Sequence, residues 1–142
     1  MKTIYMDNNA TTRVAPEVLD EMLPYFSEYY GNPSSMHTFG GTVGRRISEA
    51  REKTAALINA DPSEIIFTSC GTESDSTAIY AALQSNPRKK HIITTRVEHP
   101  AVKNLCEHLG KNGYRVTWVP VDREGNLDLD YLYDHMTDDT AI

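Results

Sequence analysis

Phe67-Thr68-Ser69-Cys70-Gly71-Thr72-Glu73-Ser74-Asp75-Ser76-Thr77 is the stretch on which the fold of this chain turns. The residues leading into it, Ile65-Ile66-Phe67, are β-branched and aromatic and read as a buried strand. Thr72 followed by Asp75 fits the Ser/Thr-x-x-Asp/Glu signature of a helix start. Gly71 stands between strand and helix, where a residue without a side chain lets the chain turn and lets a ligand approach the main chain. The first N–H groups of a helix lack helical acceptors, and with the positive end of the helix dipole they favour an anion. The same residues also describe an ordinary turn, in which Thr72 caps its own helix and Glu73 and Asp75 offset the dipole with no ligand at all. On spacing alone both readings stand.

Working outward, strands and helices alternate. The pattern predicts a strand over 65–68, a helix over 72–84, a strand over 91–95, a helix over 100–111, a strand over 115–119 and a helix over 127–136. Such alternation implies parallel strands joined by right-handed crossovers, with helices on both faces of an open sheet. Towards the amino terminus, Pro16 opens a helix with Val18, Leu19, Met22 and Leu23 on one face, which Pro24 kinks or ends. Residues 29–35 are dense in turn formers. From Thr42 a surface helix places Val43, Ile47, Ala50, Thr54, Leu57 and Ile58 over a core, opposite Arg45, Arg46, Glu49, Arg51 and Glu52, until Asp61-Pro62 ends it. Asp138-Asp139-Thr140-Ala141-Ile142 reads as a turn and the first residues of another strand, so the chain is expected to be a fragment.

The 142 residues suffice for a domain with a sizeable core, and 39% apolar with 24% charged residues is ordinary for a globular protein. A net charge of −6 argues against nucleic acid as a main partner, since no basic cluster exceeds Arg88-Lys89-Lys90. No run approaches a membrane span and the start lacks an apolar leader, so a cytoplasmic protein is expected. Cys70 and Cys106 are too few for a disulfide framework, which fits a reducing compartment.

Ligands of open parallel sheets bind at the carboxyl ends of the strands. Both Ser69-Cys70-Gly71-Thr72 and Val97-Glu98-His99-Pro100 leave their strands at that end, so they are placed to face one crevice. His99 is expected to point into it, held by Pro100 as the first helical residue, although a loop histidine also caps or bonds locally. No metal site is expected, because His91, His99, His108 and His135 lie on separate elements and neither HExxH nor CxxC occurs. Phe39-Gly40-Gly41-Thr42-Val43-Gly44 imitates a phosphate loop but lacks a preceding strand and a following Gly-Lys-Ser/Thr, and reads as a flexible helix start. Cys106 shares a face with Val102, Leu105 and Leu109 and reads as a buried thiol; Cys70, at a helix start that lowers thiol pKa values, reads as packing beneath a ligand.

Tyr5-Met6-Asp7-Asn8-Asn9-Ala10-Thr11-Thr12, Tyr30-Gly31-Asn32-Pro33-Ser34-Ser35 with His37, the turn at 68–75, and Glu98-His99-Pro100-Ala101-Val102 occur in that order. Together they resemble the amino-terminal third of a cysteine desulfurase, a pyridoxal-phosphate enzyme of fold type I in the class V aminotransferase group. The resemblance covers essentially all 142 residues, and the form of residues 68–76 is most similar to the nitrogen-fixation branch.

That resemblance implies an α/β fold with a partial large domain, its sheet mainly parallel and flanked by helices. Residues 1–14 would contribute to the small domain or active-site rim, and 15–142 would form an incomplete large cofactor-binding domain. Gly71 and Thr72 match the family's cofactor-phosphate site, and His99 matches the histidine that stacks over the pyridine ring and moves protons. The reaction implied for the whole enzyme converts L-cysteine to L-alanine and leaves sulfur as a persulfide on an enzyme cysteine. An iron–sulfur assembly scaffold, serving nitrogenase in the branch resembled, or another acceptor would take that sulfur, and the enzyme would be a homodimer. Two departures stand out: Lys2, Lys53, Lys89, Lys90, Lys103 and Lys111 all lack the context of the family's Schiff-base lysine, and no cysteine matches its mobile-loop nucleophile. The fragment alone is therefore expected to be inactive. A selenocysteine lyase or another class V enzyme shares the same motifs, and a non-catalytic binding module of this fold is the alternative from a different class.

Overall fold

One histidine and a glycine set the long amino-terminal helix. In the structure, a computed structural model that describes residues 3–142, helices α1 (Pro16–Met22) and α2 (Pro24–Ser27) precede α3 (Thr38–Ile58). Met1 and Lys2, the first residues of the expected amino-terminal segment, lie outside the described residues. Pro24 begins a helical turn of its own, with Leu23 still helical at φ −52° and ψ −42°. Helix α3 starts at Thr38 and not at Thr42, because His37 caps it: its Nδ1 accepts the Gly40 N–H at 3.2 Å. The glycine run is thus no flexible start. A side chain on Gly40 would collide with the Asn32 carbonyl oxygen and come within 2.8 Å of Ser35 Cβ, so the glycine lets the helix lie against the turn before it.

The buried stripe of α3 runs through Gly40, Val43 and Ala55, while Leu57 and Ile58, expected in the core, are 85% and 67% exposed. The shift follows from what packs there. Asn59 ends the helix in the left-handed conformation, Asp61 and Glu64 form a reciprocal capping box, and Arg51 Nε donates to Ile65 O at 3.2 Å. Towards the end of the helix the covered side is therefore the one facing residues 61–65, as its start lies against residues 32–35. Residues 65–68 do not form the predicted strand: Ile65 is extended at φ −90° and ψ 122°, but no ladder is assigned, and Ile66 and Phe67 stay 72% and 50% exposed. An apolar run supplies the propensity of a strand, but a ladder also needs a neighbour to share its hydrogen bonds.

This part of the chain, ending at Ile66, forms one compact unit, and Phe67–Ile142 forms another. The second unit holds α4 (Gly71–Ser85), β1 (His91–Thr95), α5 (Pro100–Lys111), β2 (Arg115–Val119) and α6 (Leu129–His135). The expected crossover is present: β1 and β2 pair in parallel, His91 opposite Arg115 through Thr95 opposite Val119, with α5 between them in sequence. Residues 139–142 continue the ladder on the other edge of β1, where Ala141 N–H donates to His91 O at 2.8 Å and Ile93 N–H to Ile142 O at 2.9 Å. The last residues are thus the strand start that the sequence suggests.

Ile79 and Leu83 of α4, Ile92 of β1, and Cys106 and Leu109 of α5 form the core, with Val102, Leu105, Tyr114, Val116, Trp118 and Ala141 packed around it. Each fully buried aliphatic side chain contributes about 1.5–3 kcal/mol, so this cluster fixes how α4 and α5 lie on the sheet. Helix α6 begins at Leu129, two residues later than predicted, because Leu127 pairs with Val121 across a tight loop and Asp128 Oδ1 accepts the Tyr131 N–H at 2.9 Å. No helix among the described residues is long and apolar enough to cross a membrane.

Candidate active site

Helix α4 begins without a side-chain cap. Cys70 is its N-cap residue, extended at φ −167° and ψ 170°, and Gly71 is the first helical residue. Thr72 therefore sits inside the helix, and the expected Thr72–Asp75 capping box does not form. A clamp that starts one residue before the N-cap replaces it: Glu73 Oε2 accepts both the Ser69 N–H at 2.7 Å and the Ser69 hydroxyl at 2.6 Å. Thr68 and Ser74 hydroxyls meet at 2.6 Å and brace the same turn. Glu73 occupies the third helical position, where a carboxylate reaches back over a helix start. That spacing was the available signal, and the Thr72–Asp75 match obscured it.

The first N–H to find a helical acceptor is that of Ser74, bonded to Cys70 O at 3.1 Å. The Gly71 N–H and the Thr72 hydroxyl have no protein partner among the described residues. Gly71 does not have a positive φ, so the turn itself does not require glycine. A Cβ placed there meets nothing within 4 Å, which leaves the main chain open to approach. Cys70 is exposed, not packed beneath the turn. Its thiol pKa lies below the ordinary value, chiefly because the Glu73 N–H and then the Ser69 hydroxyl face the sulfur, with the Thr72 N–H adding a smaller effect. Cys106 is the opposite case: it is 1% exposed, and burial raises its thiol pKa.

Helix α5 begins differently. Pro100 is its first residue and brings no N–H, while His99 Nδ1 accepts the Ala101 N–H at 3.1 Å. The Val102 and Lys103 N–H groups both go to His99 O, at 3.0 and 3.1 Å. The ring stands exposed, and Nε2 has no partner among the described residues. The loop before it is tied down by the buried Thr95, whose hydroxyl donates to Glu98 Oε1 at 3.2 Å.

A cleft of about 260 Å³ lies between α4, β1 and α5, with Ile142 at its edge. Asp75, one turn beyond Gly71, and Glu98, beside His99, both line it, over a floor of Ile79, Ile92, Val102 and Cys106. Gly71, Thr72 and His99 do not line it themselves; Gly71 and Thr72 open α4, whose Asp75 does, and His99 caps α5, whose Val102 does. Open N–H groups and a hydroxyl on one side suit an anion, and an exposed imidazole on the other suits proton exchange or stacking.

A parallel α/β layer with open polar groups at its helix starts belongs to the open-sheet class, whose ligands bind beyond the carboxyl ends of the strands. The chain belongs to the class V aminotransferase family, whose model matches residues 4–142. It is 58% identical to a cysteine desulfurase of Trichormus azollae over its whole length, which is 36% of that relative. It is 53% identical to the cysteine desulfurase NifS of Azotobacter vinelandii, again over the whole chain and 36% of the relative. Among solved structures, a NifS-like protein superposes with a TM-score of 0.90 at 43% identity, covering 96% of this chain and 38% of that one. SspA in complex with cysteine gives a TM-score of 0.87 at 34% identity, covering 97% and 40%. The chain therefore spans about 36% of the length of these curated relatives. Class V aminotransferases and the desulfurases among them depend on pyridoxal phosphate.

Proposed function

We propose that this chain forms the phosphate-holding and ring-covering part of a pyridoxal-phosphate-dependent cysteine desulfurase of the nitrogen-fixation branch. The observation that carries this reading is the uncapped start of α4, where the Gly71 N–H and the Thr72 hydroxyl are left open, on the helix whose Asp75 lines one cleft with Glu98, the residue beside His99. The donor set fits the cofactor's phosphate: Gly71 binds through its N–H, Thr72 through its N–H and hydroxyl, and the helix dipole favours the charge. The missing Gly71 side chain leaves room for phosphate oxygens against the main chain. His99 covers the ring and exchanges protons from an imidazole whose orientation is set by the start of α5.

When bound, the cofactor supplies an electron sink that stabilises negative charge at the substrate's α-carbon. The substrate is L-cysteine, the carbon product L-alanine, and the sulfur leaves on a cysteine thiolate as a persulfide. Neither cysteine of this chain takes that role: Cys106 is buried in the core, and Cys70 belongs to the phosphate turn. The persulfide sulfur goes to an iron–sulfur scaffold or another acceptor. We further assign residues 1–14 to the small domain or active-site rim, residues 15–142 to an incomplete large domain, and the intact enzyme to a cytoplasmic homodimer. The identity to NifS of Azotobacter vinelandii supports a place in nitrogenase cluster assembly.

The test uses the intact protein that carries this chain. Cofactor binding is followed by absorbance, and alanine is measured after addition of L-cysteine or L-selenocysteine. Alanine from L-cysteine together with a protein persulfide is expected. A protein that binds the cofactor yet releases alanine from selenocysteine alone overturns the desulfurase reading, and one that never binds it overturns the site as well.

A further inference from the structure

We infer that the main chain at Ala101 fixes which nitrogen of His99 carries the ring hydrogen, so that the imidazole meets its ligand as a hydrogen-bond donor through Nε2. The Ala101 N–H supplies the hydrogen in the 3.1 Å contact to Nδ1, so Nδ1 presents its lone pair. A neutral imidazole has one bare nitrogen and one N–H, which places the hydrogen on Nε2. Pro100 has no N–H to compete for Nδ1, and the Val102 and Lys103 N–H groups are taken by His99 O. The ring is therefore held at one nitrogen by a single backbone donor, while the other has no partner among the described residues. Behind it, the Thr95–Glu98 hydrogen bond limits how far the loop can move to release the contact.

This has a consequence for the ring's chemistry. With the contact intact the only lone pair on the imidazole is already engaged, so His99 gives a hydrogen bond at Nε2. It accepts a proton only at Nδ1, and only when the Ala101 N–H lets go. Ala101 is thus a positioning residue that acts through its main chain. The inference rests on the reading of His99 as the ring-covering residue, but the tautomer is measurable with no turnover, so the two readings fail separately.

The experiment is nitrogen NMR on the intact holoenzyme labelled with ¹⁵N-histidine, before any cysteine is added, with the His99 signals assigned by their loss in His99→Asn. A peptide spanning residues 97–103 gives the unconstrained tautomer ratio. The Nε2–H form should outnumber the other about tenfold beyond the peptide's ratio, the effect of a hydrogen bond of about 1.4 kcal/mol. Ala101→Pro, which deletes the donor, should return the ratio to that of the peptide, whereas Ala101→Gly, which keeps it, should not. His37 is an internal control, since its Nδ1 accepts the Gly40 N–H in the same manner and should not respond to changes at Ala101. A hydrogen found on Nδ1 in the parent enzyme, or a parent ratio equal to the peptide's, overturns the inference. The parent measurement decides this even where Ala101→Pro does not fold.

Discussion

His91 and His99 stand at opposite ends of β1, and the structure uses the same side chain in opposite ways. His91 is fully buried, its Nδ1 at 2.8 Å from the Thr140 hydroxyl and its Nε2 at 2.8 Å from the Thr117 hydroxyl. It ties β1 to β2 on one side and to the last residues of the chain on the other. His99 is exposed, engages one nitrogen with the start of α5, and leaves the other open. At the amino end of the strand both ring nitrogens are satisfied within the fold. Beyond the carboxyl end His99 Nε2 has no partner among the described residues, nor do the Gly71 N–H and the Thr72 hydroxyl at the start of α4, and open polar groups of this kind are what a ligand needs.

The sharpest way to break this contrast is to separate the ring of His99 from its capping role. His99→Ala removes both, and in the intact enzyme alanine release should fall by about 10²–10⁴-fold. Loss of the cap should cost about 0.5–2 kcal/mol of stability, read by urea unfolding. His99→Asn retains a side-chain acceptor suited to a helix start, so stability should recover while turnover does not. Turnover that returned with the cap would make His99 a structural residue like His91.

A smaller effect is expected at the start of α4. Thr72→Val deletes one donor to a charged group, worth about 1.5–3 kcal/mol, and should weaken cofactor retention by about 10–100-fold. Gly71→Ala places a methyl group where no protein atom lies within 4 Å. Stability should hold or rise by up to about 1 kcal/mol, while cofactor affinity falls. Equilibrium dialysis and thermal unfolding of the same samples decide the matter. If Gly71→Ala binds the cofactor as tightly as the parent, the open space at that glycine does not face the phosphate.

Much of this contrast could be read in the residues, but not all of it. The helix over 100–111 and the strands over 91–95 and 115–119 were legible because periodicity and turn residues agree there. Residues 65–68 carry equally strong strand residues yet make no ladder, since a sequence reports propensity and not the presence of a neighbour. The start of α4 was misplaced because Thr72 and Asp75 satisfy a capping pattern that the Ser69–Glu73 clamp pre-empts. His91 was invisible as a structural residue. Its partners Thr117 and Thr140 are far along the chain, and only the parallel register brings them to its ring nitrogens.

The mildest test concerns stability alone, at the closed end of the strand. Burial, and next the nearby charge of Arg115, lower the pKa of His91; Asp139 opposes them and His135 adds a little to the lowering. The folded chain then takes up the proton later than the unfolded chain as the pH falls. Between the ordinary histidine value and the lower folded one the unfolded state binds more protons, so stability decreases with falling pH. Urea unfolding of the full chain from about pH 7.5 to about pH 5.5, above the ordinary carboxylate range, should show that decrease. Asp61, Glu73 and Asp122, whose pKa values are lowered by the hydrogen bonds they accept, titrate below this window. His91→Gln keeps a polar group between the two threonines but does not titrate, so its stability should change less steeply with pH whatever its absolute value. Parallel slopes for parent and variant would show that the amino end of β1 gains no pH sensitivity from its buried histidine. The contrast between the two ends would then rest on geometry alone.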